Sequence, residues 1–123
     1  MRFAHALIDA GADIIFGHSG HVFQGVELYK RRPIIYCTGN FVDDYAVDEI
    51  ECNDESFVFA LEMNGARLTR MTLHPTVIAN CQAHLAQGDR ARSIALKMAR
   101  LCERLVTRVR WLAGRSILEI TAV

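Results

Sequence analysis

Two histidines stand three residues apart in "DIIFGHSGHVFQGVELY" (Asp13–Tyr29), directly after a short apolar run that ends in Gly17. Imidazole is the commonest protein ligand for zinc, manganese or iron, and a pair of divalent ions can bridge a phosphate. In a tight turn His18 and His21 can point toward a common centre. Gly17 and Gly20 allow unusual backbone angles there, and Ser19 is small. By spacing alone, metal ligation and a structural or merely solvated role stand side by side. His5, His74 and His84 have no partner of this kind in sequence and read as structural.

Something must hold that pair in place, and the flanking sequence suggests what. Residues 2–10 read as a helix with Phe3, Leu7 and Ala10 on one face and Ala6 beside them, and Gly11 stands where a left-handed C-cap belongs. Ile14-Ile15-Phe16 then reads as a strand buried on both faces. Helix, short connection and buried strand make the second half of an α/β unit, which puts Gly17 and His18 at the carboxyl end of a core strand. In open α/β sheets that end is where ligands bind.

Further along, Val26–Tyr29 and Pro33–Thr38 read as strands joined by a tight basic turn at Lys30–Arg32, and residues 39–54 as a polar, acidic loop. Two apolar runs flanking Asn64-Gly65 predict a hairpin with a type I′ turn, pairing Leu61 with Leu68 and Glu62 with Arg67, in a sheet covered on two sides. Pro75 is expected to end its second strand, with irregular or extended chain over 76–87. Asp89 is placed to cap a helix reaching about Thr107, with Ile94, Met98, Leu101 and Leu105 as its apolar stripe. Ser116–Ile120 is a short candidate strand.

Composition sets outer bounds. The 123 residues are 51% hydrophobic and 23% charged, as in a globular domain, and no apolar run approaches the ~20 residues that span a bilayer. Net charge is zero but uneven: eleven acids face four basic residues over 1–62, and ten basic residues face three acids over 63–123. An acidic half holding histidines suits a cation site, and a basic half suits an anionic surface or a solvated helix face. Cys37, Cys52, Cys81 and Cys102 are scattered without a C-x-x-C pair and read as reduced thiols of a cytoplasmic protein.

The run Gly17-His18-x-x-His21, Val22-Phe23-Gln24, the strands around Glu27-Leu28-Tyr29 and Ile34-Ile35-Tyr36, then Gly39-Asn40-Phe41 resembles the C-terminal part of the capsule-biosynthesis (CapA-type, poly-gamma-glutamate synthesis) family. That family is similar to the calcineurin-like metallophosphatases. The resemblance covers about residues 4–78. It implies an α/β fold, here the C-terminal fragment of a four-layer α-β-β-α metallophosphatase-like sandwich: 1–80 belong to that domain, and 81–123 form a C-terminal helical extension with a short terminal strand. It implies His18 and His21 as metal ligands, with Gly17, Gln24 and Asn40 lining the site. Asp43 or Asp44 would either close over the site or belong to an acidic surface loop.

Two departures stand out: Arg31 replaces a glycine usual in the strand-joining turn, and Ser19-Gly20 a common His-Pro pair. The family's earlier motifs belong upstream of a helix like 2–10, so by the same resemblance the chain is a C-terminal piece, incomplete as a catalyst.

The implied protein is a metal-dependent phosphoesterase-like enzyme of capsule-polymer synthesis. Its divalent ions (Mn, Zn, Fe or Mg) form a dinuclear site, and its substrate is phosphorylated or related to the capsule polymer. Self-association is a further expectation. The rival from another class is a non-catalytic module that docks through the basic helix 89–107. Nucleic-acid binding by the arginines of 90–115 is disfavoured, because Trp111 is the one aromatic among them.

Overall fold

Helix α1 (Arg2–Asp9) stops where glycine permits it to. Gly11 takes φ +117°, its N–H bonds the Ile8 carbonyl, and the Ala12 N–H bonds the Leu7 carbonyl, both at 3.0 Å, which closes the helix with a Schellman pair. The computed structural model describes residues 1–18, 20–40, 54–112, 114 and 116–121. Asp43 and Asp44 lie outside the described residues.

The face that α1 buries differs from the one expected. Ala4 and Ile8 pack on Ile34, while Phe3 is 77% exposed and Leu7 and Ala10 are also exposed. The sequence offers two apolar rows one residue apart, and small Ala4 lets the helix sit close to the sheet.

That first sheet contains β1 (Ile15–Phe16), β2 (Val26–Tyr29) and β3 (Arg32–Ile35) in the order β1-β3-β2. β1 runs parallel to β3, and β2 antiparallel to it. Ile34 faces α1 and Ile35 faces the main core, so β3 is the strand buried on both faces. β1 is not: Ile14 is exposed and Phe16 is 57% exposed, its ring meeting only the edge of Phe59 at 6.0 Å. As an edge strand it has β3 on one side, and its inward face reaches only the rim of the core. The turn after β2 is Lys30-Arg31, both at positive φ (52° and 64°), and Arg32 already belongs to β3.

The second sheet has β4 (Glu55–Asn64), β5 (Arg67–Ala79), β7 (Arg110–Leu112) and β8 (Ile117–Thr121) in the order β4-β5-β8-β7, with β6 (Gln82–Leu85) also on β5. Its hairpin register corrects the expected one. Leu61 pairs with Met71 and Glu62 with Arg70, because an irregularity after Glu62 absorbs a residue and the loop is Gly65-Ala66. Gly65 at φ +63° opens that turn.

Pro75 does not end β5. Its carbonyl accepts from the Ala86 N–H at 2.9 Å, so its nitrogen faces away from β4, into the gap between β8 and β6 where no donor is needed. Nor do both faces of this sheet carry an apolar layer among the described residues. Phe57, Met71, Leu73, Leu118 and Ile120 are buried inward, while the outer face carries Arg70 between Glu62 (2.5 Å) and Glu119 (3.4 Å).

Helix α2 (Gly88–Arg104) buries Ala91, Ile94, Ala95, Met98 and Cys102, close to the expected stripe, with Leu101 and Leu105 half-buried. Gln87, not Asp89, is its N-cap residue; Asp89 lies in the first turn and pairs with Arg92 at 3.0 Å. The helix ends at Arg104, short of Thr107. Its buried residues join Phe23, Val26 and Ile35 of the first region and the inward side chains of the second sheet in one core, so residues on both sides of position 80 contribute to it. The whole is a mixed α/β arrangement of two sheets and two helices among the described residues. No helix among them is long and apolar enough to cross a membrane.

Candidate functional site

The loop after β1 is pinned at both ends. The Gly17 N–H donates to the Ile35 carbonyl at 2.7 Å, and the Thr38 N–H to the Gly17 carbonyl at 3.2 Å, which carries the β1–β3 ladder past the strands. At the far end the Gln24 N–H donates to the Cys37 carbonyl at 3.0 Å. Glycine at 17 has a steric cause: a Cβ there would sit 2.1 Å from the Tyr36 carbonyl oxygen. The loop carrying His18 and His21 therefore lies against residues 35–40, at the carboxyl end of β1, where the sequence pattern placed it.

His18 and His21 are both exposed on this loop. His21 Nδ1 lies 3.1 Å from Asn40 Oδ1. With a carbonyl oxygen as acceptor, Nδ1 carries the hydrogen and the Nε2 lone pair is left for an external partner. Metal-ligating histidines commonly donate their other ring N–H to an acceptor that fixes the tautomer, most often a carboxylate, a backbone carbonyl or water. Asn40 is thus brought to His21. The Gln24 side chain is not part of that pair; it lines a cavity of about 350 Å³ with Tyr36, Leu101 and Arg104.

As a donor set, His21 fits a divalent cation and His18 offers a second imidazole from the same loop. Among the described residues no group of three or more His, Cys, Asp or Glu side chains could hold one ion, and two imidazoles alone would fill only part of a coordination shell.

Two polar constellations near the loop have no local signature in the sequence. His5 stacks on Tyr29 (3.9 Å, 3°) and its Nε2 meets Glu27 Oε1 at 2.6 Å; the Tyr36 hydroxyl donates to the same oxygen at 2.7 Å. Burial first, and then the Glu27 carboxylate, raise the Tyr36 pKa well above the ordinary phenol range, so its hydroxyl stays a donor. These contacts tie α1 to the first sheet, consistent with a structural His5. Glu55, only 3% exposed, meets Lys97 Nζ at 2.6 Å and Arg90 Nε at 3.0 Å, and Arg90 Nη2 reaches Asp54 at 2.9 Å. Partners 35 to 42 positions apart can be found only in the fold.

Residues 1–45 match the family described as Bacterial capsule synthesis protein PGA_cap. Over 45 residues the chain is 54% identical to a probable polyglutamine synthesis accessory protein of Mycobacterium tuberculosis, a stretch that is 37% of this chain and 12% of that protein. It is 56% identical over 41 residues to the capsule biosynthesis protein CapA of Bacillus anthracis, 33% of this chain and 10% of that one. With the PGA biosynthesis protein CapA of Bacillus subtilis it shares 51% identity over 43 residues, 35% and 11% of the two chains. The stretch matched to these relatives is thus about a tenth of their length, and the family-matched residues 1–45 contain α1, β1, the histidine loop, β2, β3 and Asn40.

Proposed function

We propose that this chain, whose residues 1–45 carry the capsule-synthesis family segment, serves the synthesis of a capsule or poly-gamma-glutamate polymer by contributing two imidazoles to a divalent-metal site. The observation that carries this reading is the Asn40-held His21, whose Nε2 lone pair is left outward, in the segment shared with proteins named for capsule biosynthesis.

His18 and His21 would hold one ion, with the remaining donors coming from residues beyond the described set. Such a metal, when bound, supplies Lewis acidity toward a phosphoryl oxygen and makes its water acidic. The chain's own part is to fix the loop. Gly17 lets it approach Tyr36, and Asn40 selects the His21 tautomer. The mixed α/β fold, with α1 on one sheet and a second sheet beyond it, is compatible with part of an α-β-β-α metallophosphatase-like sandwich.

The test is a manganese titration followed by paramagnetic broadening of the imidazole signals. His18 and His21 should broaden first, and His21→Ala should abolish the effect at His18 as well. Equal broadening of His74 and His84 would sink the proposal. By itself the chain should hydrolyse a generic phosphate ester no faster than free manganese, since preorganised charge worth several kcal/mol is lacking with two ligands. Turnover that depends on His18 would show that the two imidazoles suffice.

A further inference from the structure

Beside the histidine loop, α2 and residues 22–25 enclose a cleft with an unusual charge balance. A cavity of about 250 Å³ has Val22, Phe23 and Leu101 as apolar walls and Lys97, Arg100 and Arg104 as cations. Among the described residues Glu55 is the one carboxylate in its lining, and that charge is already matched: one oxygen holds Lys97, the other Arg90. Arg100 and Arg104 have no ion-pair or hydrogen-bond partner among the described residues. They stand one helical turn apart, where like charges repel unless an anion lies between them.

The cleft continues. The cavity of about 350 Å³ shares Leu101 and Arg104 and adds the Gln24 side chain. Guanidinium groups for an oxyanion, an amide at Gln24 for neutral polar atoms and aliphatic walls for methylenes therefore follow one another along α2. Gly25 makes the arrangement possible, since a Cβ there would meet the Leu101 carbonyl carbon at 2.8 Å.

We infer that this cleft is an oxyanion-binding subsite, with Arg100 and Arg104 as its charged contacts and Gln24 as a neutral one. Its ligand is a carboxylate on an acidic polyamide or a phosphate group. The choice of polymer rests on the capsule reading above, but binding here requires no metal.

The experiment is an NMR titration of the chain with EDTA present, using three probes: a short γ-glutamate oligomer, the uncharged γ-glutamine oligomer of equal length, and inorganic phosphate. The glutamate oligomer or phosphate should shift α2 and residues 22–25, more weakly at high salt. Shifts with the oligomer alone identify a carboxylate chain, and shifts with phosphate alone a phosphoryl group. Arg100→Gln with Arg104→Gln should weaken binding roughly tenfold or more, as expected for lost charge-assisted hydrogen bonds. Arg110→Gln, on the outer face of the second sheet where its guanidinium meets Glu119 at 3.7 Å, should not. The inference is overturned if neither anion binds, if the glutamine oligomer binds equally well, or if the double variant binds as the parent does. Because EDTA removes metal, these outcomes are independent of the manganese titration.

Discussion

At the residue scale, Gly17 is the most demanding position of the histidine loop. A methyl group there would collide with backbone, the Tyr36 carbonyl oxygen, which cannot swing aside as a side chain could. Gly17→Ala should therefore cost on the order of 3 kcal/mol, at the upper end for overpacking, measured by urea unfolding. The loss should come with disruption of the His21–Asn40 contact. Asn40→Ala should instead release the His21 tautomer, visible as a change in its ring ¹⁵N shifts; unchanged shifts would show that the 3.1 Å contact does not select Nδ1–H. Two of the described cysteines, Cys81 ahead of α2 and Cys102 within it, should contrast. Burial raises the Cys102 thiol to about 11, partly offset by the Val26 N–H, whereas Cys81 is exposed. A thiol reagent at neutral pH should label Cys81 and spare Cys102 in the folded chain. The His18/His21 spacing was legible because a loop motif is local. The Glu55 cluster was not, because a carboxylate's burial depends on cations brought from another element.

At the element scale, three turns among the described residues hold side chains in backbone conformations that favour glycine: Lys30-Arg31, Asn80-Cys81 and the one at Val106. Val106 closes α2 at φ +58°: its N–H bonds the Glu103 carbonyl and the Thr107 N–H bonds the Cys102 carbonyl, both at 2.9 Å. A β-branched residue there is strained, and Val106 is 91% exposed, so little packing offsets the cost. Val106→Gly should stabilise the protein by about 1 kcal/mol in chemical denaturation, and a loss of stability would refute the strain. Arg31→Gly, at φ +64° in the β2–β3 turn, should act in the same direction. The outer ladder of the second sheet adds a pH dependence. The hydrogen bond from Arg70 holds the Glu62 carboxyl below its ordinary range. Its contribution is therefore present above the unfolded glutamate pKa and lost as pH falls through the lower folded value; Arg70→Gln should return the Glu62 titration to the ordinary range. Sequence patterns located nearly every element but misplaced registers and faces. Asn64-Gly65 marked the hairpin, yet the irregularity after Glu62 shifted the pairing, and no local pattern reveals a bulge. For α1 two apolar rows competed, and the sheet beneath the helix decided between them.

At the scale of the whole molecule, α2 holds the two sheets together. Ile94, Met98 and Cys102 contact a core made of Val26 and Ile35 from the first sheet and Met71, Leu73, Leu118 and Ile120 from the second. The Val26 N–H even points at Cys102 Sγ, at 3.5 Å. The sequence showed α2 as amphipathic, but its stripe could not tell that one helix serves two sheets, because the partners are fixed by topology. The consequence is cooperativity. Met98→Ala should cost about 2–5 kcal/mol, the usual range for emptying a closed core position. Gly25→Ala acts on the same seam from the other side, forcing Leu101 of α2 away from the first sheet. Both substitutions should destabilise both sheets together. Trp111, the sole tryptophan, reports on the second sheet, and the stacked His5 and Tyr29 rings report on the first. Unfolding followed by tryptophan fluorescence and by those ring signals should give one midpoint in the parent, moving by the same amount in each variant. Midpoints that separate, with Met98→Ala moving only the tryptophan transition, would show that the sheets fold as independent units and that α2 belongs to the second alone.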